Sequence, residues 1–503
     1  MGLLIRGGKV FNSQLNHLQE ADILIDGDCI AAVGHNLDAP TDVRELDASK
    51  YIILPGLINA HTHSHNNFTK GSGDNWTLED QLNHGAALNA NRTPDDVYVC
   101  TAIGAIEMLK TGCTAAFDLF MGTPAPTDDT VEAVVRAYKD VGLRAVIAPS
   151  VADVVFYRVI PKLIDFLPPD LRKTVESMRP VPTKSLLKLT ENAIRRWHES
   201  ESGRIRIAVS PTTPGQNTDE FLRGCSLLSR KYGVGIHTHL AETKVQAIYG
   251  LQRWGKSLVA HLADIGLLSP DFVGAHAVWL TEEDIKMLAN AGASVAHNPA
   301  ANLKLGSGIA PIREMLEHNL NVGLGTDGSL SSDNQNMFEA MRFGATVAKV
   351  RFPYQQNRWV SSRDAWKMAT LGSAYVLGMA DGLGAVAPGR KADLVLLRSD
   401  SINLRPMNDA INALVYAESG DDVDTVLVNG KVVLEHGRVL TVGEESLRVA
   451  AQETVDRLRE KNADAWLWAE QLTPYIQASC QETIRIPYPI NRYATSILTN
   501  EQR

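Results

Sequence analysis

The sequence of 503 residues is poor in cysteine. Its cysteines are odd in number, widely spaced and free of any Cys-x-x-Cys pair: Cys29, Cys100, Cys113, Cys225 and Cys480. This distribution excludes a disulfide framework and is typical of a protein that is kept reduced. We therefore expect a cytoplasmic protein in which most of these thiols are buried and structural.

Concentrated positive charge and long apolar runs are also missing. The 49 Lys and Arg residues are outnumbered by 58 Asp and Glu, which gives a net charge of −9. A nucleic-acid partner is not expected, because phosphate binding requires basic residues gathered on one face. No window approaches the roughly 20 apolar residues that cross a bilayer, so a membrane partner is not expected either. With 44% hydrophobic and 21% charged residues, the composition is that of a globular protein with one large domain and a smaller one.

Apolar strand-like runs alternate with amphipathic helical runs through the middle of the chain. This alternation is typical of βα units, and eight such units in about 330 residues predict a (β/α)8 barrel, an α/β fold of the TIM type. Helices are predicted over 94–111, 128–141, 218–232 and 281–291. The strands are predicted at Ile53–His61, Thr114–Asp118, Arg144–Ser150, Arg204–Ser210, Gly233–Leu240, Phe272–Ala277, Ala293–Asn298 and Val322–Asp327.

Hairpin signals lie at both ends of the chain. Asp26-Gly27 and Asn429-Gly430 each separate two β-rich runs, so the two ends are expected to pair into a small β-sandwich. The alternative is two unrelated β-patches. The predicted organisation is 1–54 as the first part of the sandwich, 55–383 as the barrel, 384–443 as the second part, and 444–503 as a C-terminal helix and tail. The tail, 472–503, either contacts a neighbouring subunit or is loose.

The stretch 151–196 is too long for a tight βα connection and carries five prolines. Long insertions in a compact domain are usually lids or surface excursions. We interpret this one as a lid over the mouth of the barrel, with a surface excursion as the alternative.

Histidines concentrate at the predicted carboxyl ends of the strands, where barrel enzymes place their active sites. In PGLINAHTHSH, His61 and His63 are two residues apart, so both imidazoles lie on the same face of a strand. Two imidazoles fixed in this way form half of a metal site. The alternative is a pair of polar residues on a strand that leads into a surface loop.

A second pair occurs in GIHTHLAET, where His237 and His239 share a face and Glu242 follows the strand end. A carboxylate three residues after a metal ligand is suited to accept a proton from water. The alternative is two core histidines, with Glu242 opening the next helix.

Further candidates follow the later strands. Asp327 ends the eighth strand, which is adjacent to the first in a closed barrel and therefore close to His61 and His63, although Asp before Gly is also a common turn. His276 lies in VGAHAVWL, and His297 and Asn302 lie in VAHNPAANLKLGSG. Three histidines and one aspartate suit Zn(II) or Fe(II).

Taken together, PGLINAHTH, HLAET, HAVWL, VAHNPAANLKLGSGIAPI, LGTDG and APGRKADLVLL resemble the amidohydrolase superfamily. The likeness covers roughly residues 1–440. It is strongest to the mononuclear branch of S-adenosylhomocysteine, cytosine and guanine deaminases and triazine hydrolases. The resemblance also implies a homodimer or higher homo-oligomer.

The resemblance implies roles for individual residues. It implies a divalent metal held by His61, His63, His239 and Asp327, and Asp327 would also orient the attacking water. Glu242 would be the proton shuttle and His276 a polarising group, with His297 and Asn302 near the substrate. Binuclear members carry a carboxylated lysine on the fourth strand. RIRIAVSPTTP has no lysine, so one metal per chain is expected, zinc first and iron as the alternative.

The expected reaction is hydrolytic deamination of an amino-substituted N-heterocycle, such as a purine, pyrimidine, pterin or triazine, by metal-activated water. Trp279 and Phe68 are expected near the site as part of an aromatic wall for this small-molecule substrate. One alternative is a hydrolase of the same fold that removes chloride or an alkylamine, or opens a cyclic amide. Another is a catalytically silent metal-binding scaffold.

Overall fold

The computed structural model describes residues 2–12, 17–38 and 43–494. Strands from both ends of the chain join in one nine-stranded sheet beside a central barrel. Within the sheet, strands from the two termini pair directly, since Tyr51–Pro55 lies antiparallel to Leu394–Arg398. The sheet consists of Leu3–Asn12, His17–Asp26, Cys29–Gly34, Arg44–Asp47, Tyr51–Pro55, Leu394–Arg398, Val423–Val428, Lys431–Glu435 and Arg438–Val439.

The two predicted hairpins are present in this sheet. Asn429 and Gly430 join paired strands and both have positive φ, 54° and 74°, as a tight two-residue turn requires. Apolar side chains from both termini, including Ile23, Ile53 and Leu394, pack in one shared core. The terminal segments therefore form one structural unit, as expected.

The barrel strands are all parallel, and they form two sheets joined edge to edge. At one seam Val209 pairs with Ile236. At the other the Asp327 amide donates to the His61 carbonyl oxygen at 2.9 Å, which closes the barrel. The strands are Leu57–Thr62, Cys113–Phe120, Arg144–Val151, Ile205–Ile207 with Ser210–Pro211, Ile236–Leu240, Phe272–His276, Ser294–His297 and Asn321–Leu324. The (β/α)8 prediction is confirmed.

Two predicted strands differ in detail from those observed. The first, Ile53–His61, is split at Gly56 into a strand of the terminal sheet and a strand of the barrel. A Cβ atom at Gly56 would lie 2.0 Å from Thr114 Oγ1, so only glycine fits where the chain crosses between the sheets. The fourth strand is interrupted before Ser210–Pro211, and Pro211 has no amide to donate to the ladder.

Threonines begin several of the helices around the barrel. The side-chain oxygens of Thr93, Thr127 and Thr281 each accept a hydrogen bond from the backbone amide three residues further on. The side chain of that later residue in turn accepts a hydrogen bond from the threonine amide. The larger helices between barrel strands are Pro94–Lys110, Asp128–Val141, Thr183–Trp197, Asp219–Tyr232, Lys244–Trp254, Leu258–Asp264, Glu282–Asn290, Met337–Val347 and Ser362–Lys367.

The insertion after the third strand forms short helical segments, Phe156–Arg158, Leu163–Phe166 and Pro169–Ser177. The rest of the predicted lid is the helix Thr183–Trp197, which packs on the neighbouring barrel helix Asp219–Tyr232. The short segments, by contrast, share an apolar cluster with the C-terminal helix Ala463–Thr483.

The C-terminal region is more ordered than expected. Helices Glu444–Lys461 and Ala463–Thr483 replace the single helix that was predicted to end at 471. The second helix continues because Leu472, Ile476 and Cys480 recur every four residues and pack against the insertion. Residues 484–494 then return to the barrel, and the predictions for 495–503 lie outside the described residues. Among the helices described, none is long and apolar enough to cross a membrane.

Candidate metal centre and active site

The side chains at the carboxyl ends of four barrel strands converge on one buried point. His61 lies on the first strand and His63 directly follows it, His239 lies on the fifth, His276 ends the sixth and Asp327 follows the eighth. His276 and Asp327 have positive φ, 66° and 65°, which non-glycine residues rarely adopt. Such backbone conformations are held by their surroundings and cluster at functional sites.

The converging atoms are close enough to share one cation. His63 Nε2 lies 3.0 Å from His239 Nε2 and 3.2 Å from Asp327 Oδ1, and His61 Nε2 lies 3.5 Å from the same oxygen. Ligand atoms of His61, His63 and His239 lie within 4.8 Å of one another, as do those of His61, His276 and Asp327. His61 Nε2 and Asp327 Oδ1 are buried and make no hydrogen bond to the described residues. Since burying unpaired polar atoms is costly, these atoms fit a metal.

The second ring nitrogen of His63 and that of His239 each form a hydrogen bond with a backbone carbonyl oxygen. His63 Nδ1 donates to the Leu119 carbonyl oxygen at 2.7 Å, and His239 Nδ1 donates to that of Thr212 at 2.6 Å. These bonds place the proton on Nδ1 and leave the Nε2 lone pairs facing the centre. This is the usual arrangement of metal-binding histidines.

His237 provides the corresponding partner for His61. Its Nε2 lies 3.2 Å from His61 Nδ1, and the residue is fully buried. Burial, followed by the neighbouring histidines, lowers the pKa of His237 well below its usual value. The neutral ring can therefore accept a hydrogen bond from His61. Sequence reasoning gave His237 no role, although its two-residue spacing from His239 placed it on the same face.

Glu242 lies between the fifth strand and Thr243, the cap of helix Lys244–Trp254. Its amide donates to Gln246 Oε1 at 2.9 Å, which fixes the backbone there. The carboxyl group is buried, with Oε2 3.6 Å from His276 Nε2 and Oε1 without a partner in the described chain. Burial, then the charges of Asp327 and Glu79, raises the pKa of Glu242 well above its usual value. A carboxyl group in this environment is suited to proton transfer.

His276 is oriented by two asparagines. Its Nδ1 lies 2.9 Å from Asn302 Oδ1, so it donates to that oxygen, while Asn298 Nδ2 lies 3.4 Å from Nε2. Burial lowers the pKa of His276, which favours the neutral ring. Asn302 thus acts on the site through His276. His297 is buried near His276 and, like Asn302, does not line the cavity beside the converging side chains.

A cavity of about 190 Å³ opens beside the converging side chains. His63, His239, Glu242, His276 and Asp327 all form part of its wall. Its other lining residues include no acidic residue, lysine or arginine. They are His65, Asn66, Leu78, Gln81, Leu82, Gly85, Asn89, Met121, Gly122, Thr123, Phe156, Thr212, Thr213, Gln216, Gln246 and Leu330.

The two aromatic residues expected at the substrate lie elsewhere, which corrects that expectation. Trp279 is 1% exposed, and its indole N–H donates to the Ser307 carbonyl oxygen at 2.8 Å within the core. Phe68 is half-buried and faces Arg92, whose guanidinium carbon lies 5.3 Å from the ring centre. The aromatic residue that does line the cavity is Phe156, from the insertion.

Comparison with known proteins shows the family of the chain. The profile of the amidohydrolase family matches residues 52–433. The 5-methylthioadenosine/S-adenosylhomocysteine deaminase of Caldanaerobacter subterraneus subsp. tengcongensis is 33% identical over 461 residues, 91% of this chain and 99% of that protein. The 5'-deoxyadenosine deaminase of Methanosarcina barkeri is 32% identical over 442 residues, 88% of this chain and 94% of its own.

A solved structure extends the comparison. A variant of the atrazine chlorohydrolase of Arthrobacter aurescens TC1, determined with zinc and atraton, superposes with a TM-score of 0.82 at 29% identity. The match covers 90% of this chain and 100% of that one. The chain belongs to the amidohydrolase family. It is a hydrolase acting on carbon–nitrogen bonds, and hydrolytic deamination of an N-heterocycle, predicted from the sequence, is supported by its relatives.

Proposed function

We propose that this enzyme removes ammonia from the adenine ring of a small adenosine derivative, using one zinc ion held by His61, His63, His239 and Asp327. The observation that supports it most is the unpaired Oε1 of Glu242, which borders the same cavity as the imidazoles and Asp327. The names of the deaminase relatives supply the substrate class.

A divalent metal held by His61, His63, His239 and Asp327 would supply Lewis acidity, which lowers the pKa of water toward neutrality. Glu242 accepts a proton from the attacking water and delivers it to a ring nitrogen, so that the neighbouring ring carbon becomes electrophilic. His276 and Asp327 orient the water by hydrogen bonding. Glu242 then takes the remaining proton from the hydroxyl group that has added to the ring carbon and passes it to the amine, which leaves as ammonia as the ring C–N bond breaks, and a keto group remains on the ring.

Glu242→Gln tests this assignment. It keeps the shape of the side chain and removes its capacity to accept a proton, so we expect kcat to fall about 10²–10⁴-fold. Metal content, measured by elemental analysis, should stay near one ion per chain. Glu418→Gln is the matched control, because Glu418 is another buried carboxyl group but is not part of this cavity wall. Full activity in Glu242→Gln would refute the proton-transfer role.

The identity of the substrate is tested by measuring ammonia from adenosine derivatives, pyrimidines, pterins and aminotriazines. We expect release from the adenosine derivatives. The solved structural relative favours a second candidate, hydrolysis of chloride or an alkylamine from a triazine. Chloride or alkylamine release without ammonia would establish that alternative. Elemental analysis of the same sample distinguishes zinc from iron.

The proposal extends to location, oligomeric state and the insertion. A cytoplasmic location is supported by the free cysteines, four of which are buried. A homodimer or higher oligomer follows from the family resemblance and is measured by light scattering. A covering role for the insertion is supported by Phe156, which borders the cavity.

A further inference from the structure

A second, smaller chamber adjoins the active-site cavity. The two share part of their walls, including Leu78, Leu82, Phe156, Gln216 and Gln246, so they lie side by side. Apart from Glu79, the residues that line only this side chamber come from the insertion, from the segment Pro214–Gln216 after the fourth strand and from the two helices after the fifth strand. They include Val159, Ile160, Gly215, Val245, Tyr249 and Leu258.

The side chamber is small and almost entirely apolar. Its volume is about 30 Å³, and one water-sized sphere needs about 10–15 Å³ of such space. It therefore admits about two or three heavy atoms. An apolar wall of this kind stabilises an apolar group by removing it from water.

The side chamber is lined by one acidic side chain and by no basic one among the described residues. Glu79, 5% exposed, is its charged lining residue, and it accepts a hydrogen bond from Thr243 Oγ1 at 2.9 Å. Among the described residues, neither chamber is lined by a lysine or an arginine. A carboxylate entering the side chamber would lose its hydration without gaining a cationic side chain as a partner.

Hydrogen bonds between the segments around the side chamber preorganise its walls. Tyr157 in the insertion donates to Asn83 Oδ1 at 3.1 Å, and Trp468 Nε1 from the C-terminal helix donates to the Tyr157 hydroxyl at 3.2 Å. Gln477 Nε2 from the same helix donates to Asp80 Oδ1 at 3.2 Å. The C-terminal helix thereby fixes both the insertion and the helix Leu78–Asn83, so the apolar walls require little ordering when a ligand enters.

We propose that the side chamber binds a short, uncharged, apolar substituent of the substrate while the amino-bearing ring contacts Glu242 and His276. This specificity rests on the proposed deaminase function. For an adenosine derivative the substituent replaces the 5'-hydroxyl group and has two or three heavy atoms, such as a methylthio group. A long zwitterionic substituent that ends in a carboxylate is rejected.

The test compares kcat/KM for three substrates of the purified metal-loaded enzyme. We expect 5'-methylthioadenosine to exceed 5'-deoxyadenosine about fourfold or more, since each buried methylene-sized group contributes about a factor of four. We expect S-adenosylhomocysteine to be at least about 100-fold worse than 5'-methylthioadenosine, because its carboxylate has no partner. Equal kcat/KM for these last two would overturn the proposal.

Two variants assign the effect to the chamber. Val245→Phe fills it, so the preference for 5'-methylthioadenosine over 5'-deoxyadenosine should disappear while 5'-deoxyadenosine is still turned over. Val159→Arg places a cation on its half-buried edge and should raise kcat/KM for S-adenosylhomocysteine selectively. Val131→Phe, on a barrel helix outside both chambers, controls for overpacking. An unchanged substrate ratio in Val245→Phe, with a melting temperature like that of the control, would refute the assignment.

The proposed function and the proposal for the side chamber can be refuted separately. If no adenosine derivative releases ammonia, the proposed function is wrong. The chamber is then tested with triazines that carry methylamino, ethylamino or carboxymethylamino substituents. Preference for the ethyl compound, lost in Val245→Phe, supports the side chamber as an apolar subsite. Indifference to substituent length and charge overturns it.

Discussion

His237 offers a sharp test of how the protein prepares its metal centre. His61 can offer Nε2 to a metal only if the proton lies on Nδ1, and Nδ1 faces His237 Nε2 at 3.2 Å in a fully buried setting. His237→Leu removes the acceptor and leaves a buried N–H unpaired. This also frees the His61 ring to turn away from the centre.

The expected magnitude follows from this geometry. An unpaired buried donor costs about 1–3 kcal/mol, and loss of such a partner usually weakens metal affinity about 10–100-fold. His237→Gln retains an amide oxygen that can accept the bond, so it should recover most of the affinity. We therefore expect zinc affinity to decrease in the order wild type, His237→Gln, His237→Leu.

Competition with a chelator of known affinity measures this order, and the melting temperature of the metal-free protein shows whether the fold has suffered. His261→Leu is the matched control. His261 is also buried, but it stacks on Trp254 and pairs with Asp219 instead of contacting the centre. If His237→Leu binds zinc within about threefold of wild type, the reasoning about the His61 proton is wrong.

Two further predictions concern stability. Arg144→Leu should cost about 3–5 kcal/mol of stability and lower the melting temperature, because Arg144 Nε and Nη2 bind buried Asp393 at 2.9 and 3.0 Å. The double variant Arg144→Leu with Asp393→Leu should lose less stability, and equal losses in the two proteins would contradict this. Burial raises the pKa of Glu418 to about 7. The unfolded chain then ionises first, so stability falls as pH rises from about 4.5 to 7. Unfolding at pH 5 and pH 8 should show Glu418→Gln gaining up to about 3 kcal/mol over wild type only at the higher pH, and a gain at both would argue against a shifted pKa.

Local periodicity carried much of the fold prediction. Strands with alternating or continuous apolar residues and helices opened by threonine are specified by short-range preferences, so their order could be read without coordinates. The two-residue spacing of His61 and His63, repeated in His237 and His239, fixes which side chains share a face because successive strand residues alternate. Once a closed barrel is assumed, Asp327 must lie beside the first strand.

Sequence adjacency misled where the backbone turns. Trp279 follows His276 by three residues, yet Ala277 has a φ of 49° and the chain carries the indole into the core. Phe68 follows His63 in a short 3₁₀ helix and packs beside Arg92. Neither side-chain orientation can be derived from residue type, because each depends on how segments distant in sequence pack around the ring.

The sequence by itself determined the βα alternation, the paired terminal hairpins and the set of imidazoles and carboxylates at the strand ends. Only the tertiary structure decided that His237 contacts His61, that Asn302 acts through His276, and that the C-terminal helix supports the walls of the side chamber. The first group depends on local periodicity and on the general geometry of parallel barrels. The second depends on contacts between residues far apart in sequence, such as Tyr157 with Asn83 and Trp468, which a local pattern does not encode.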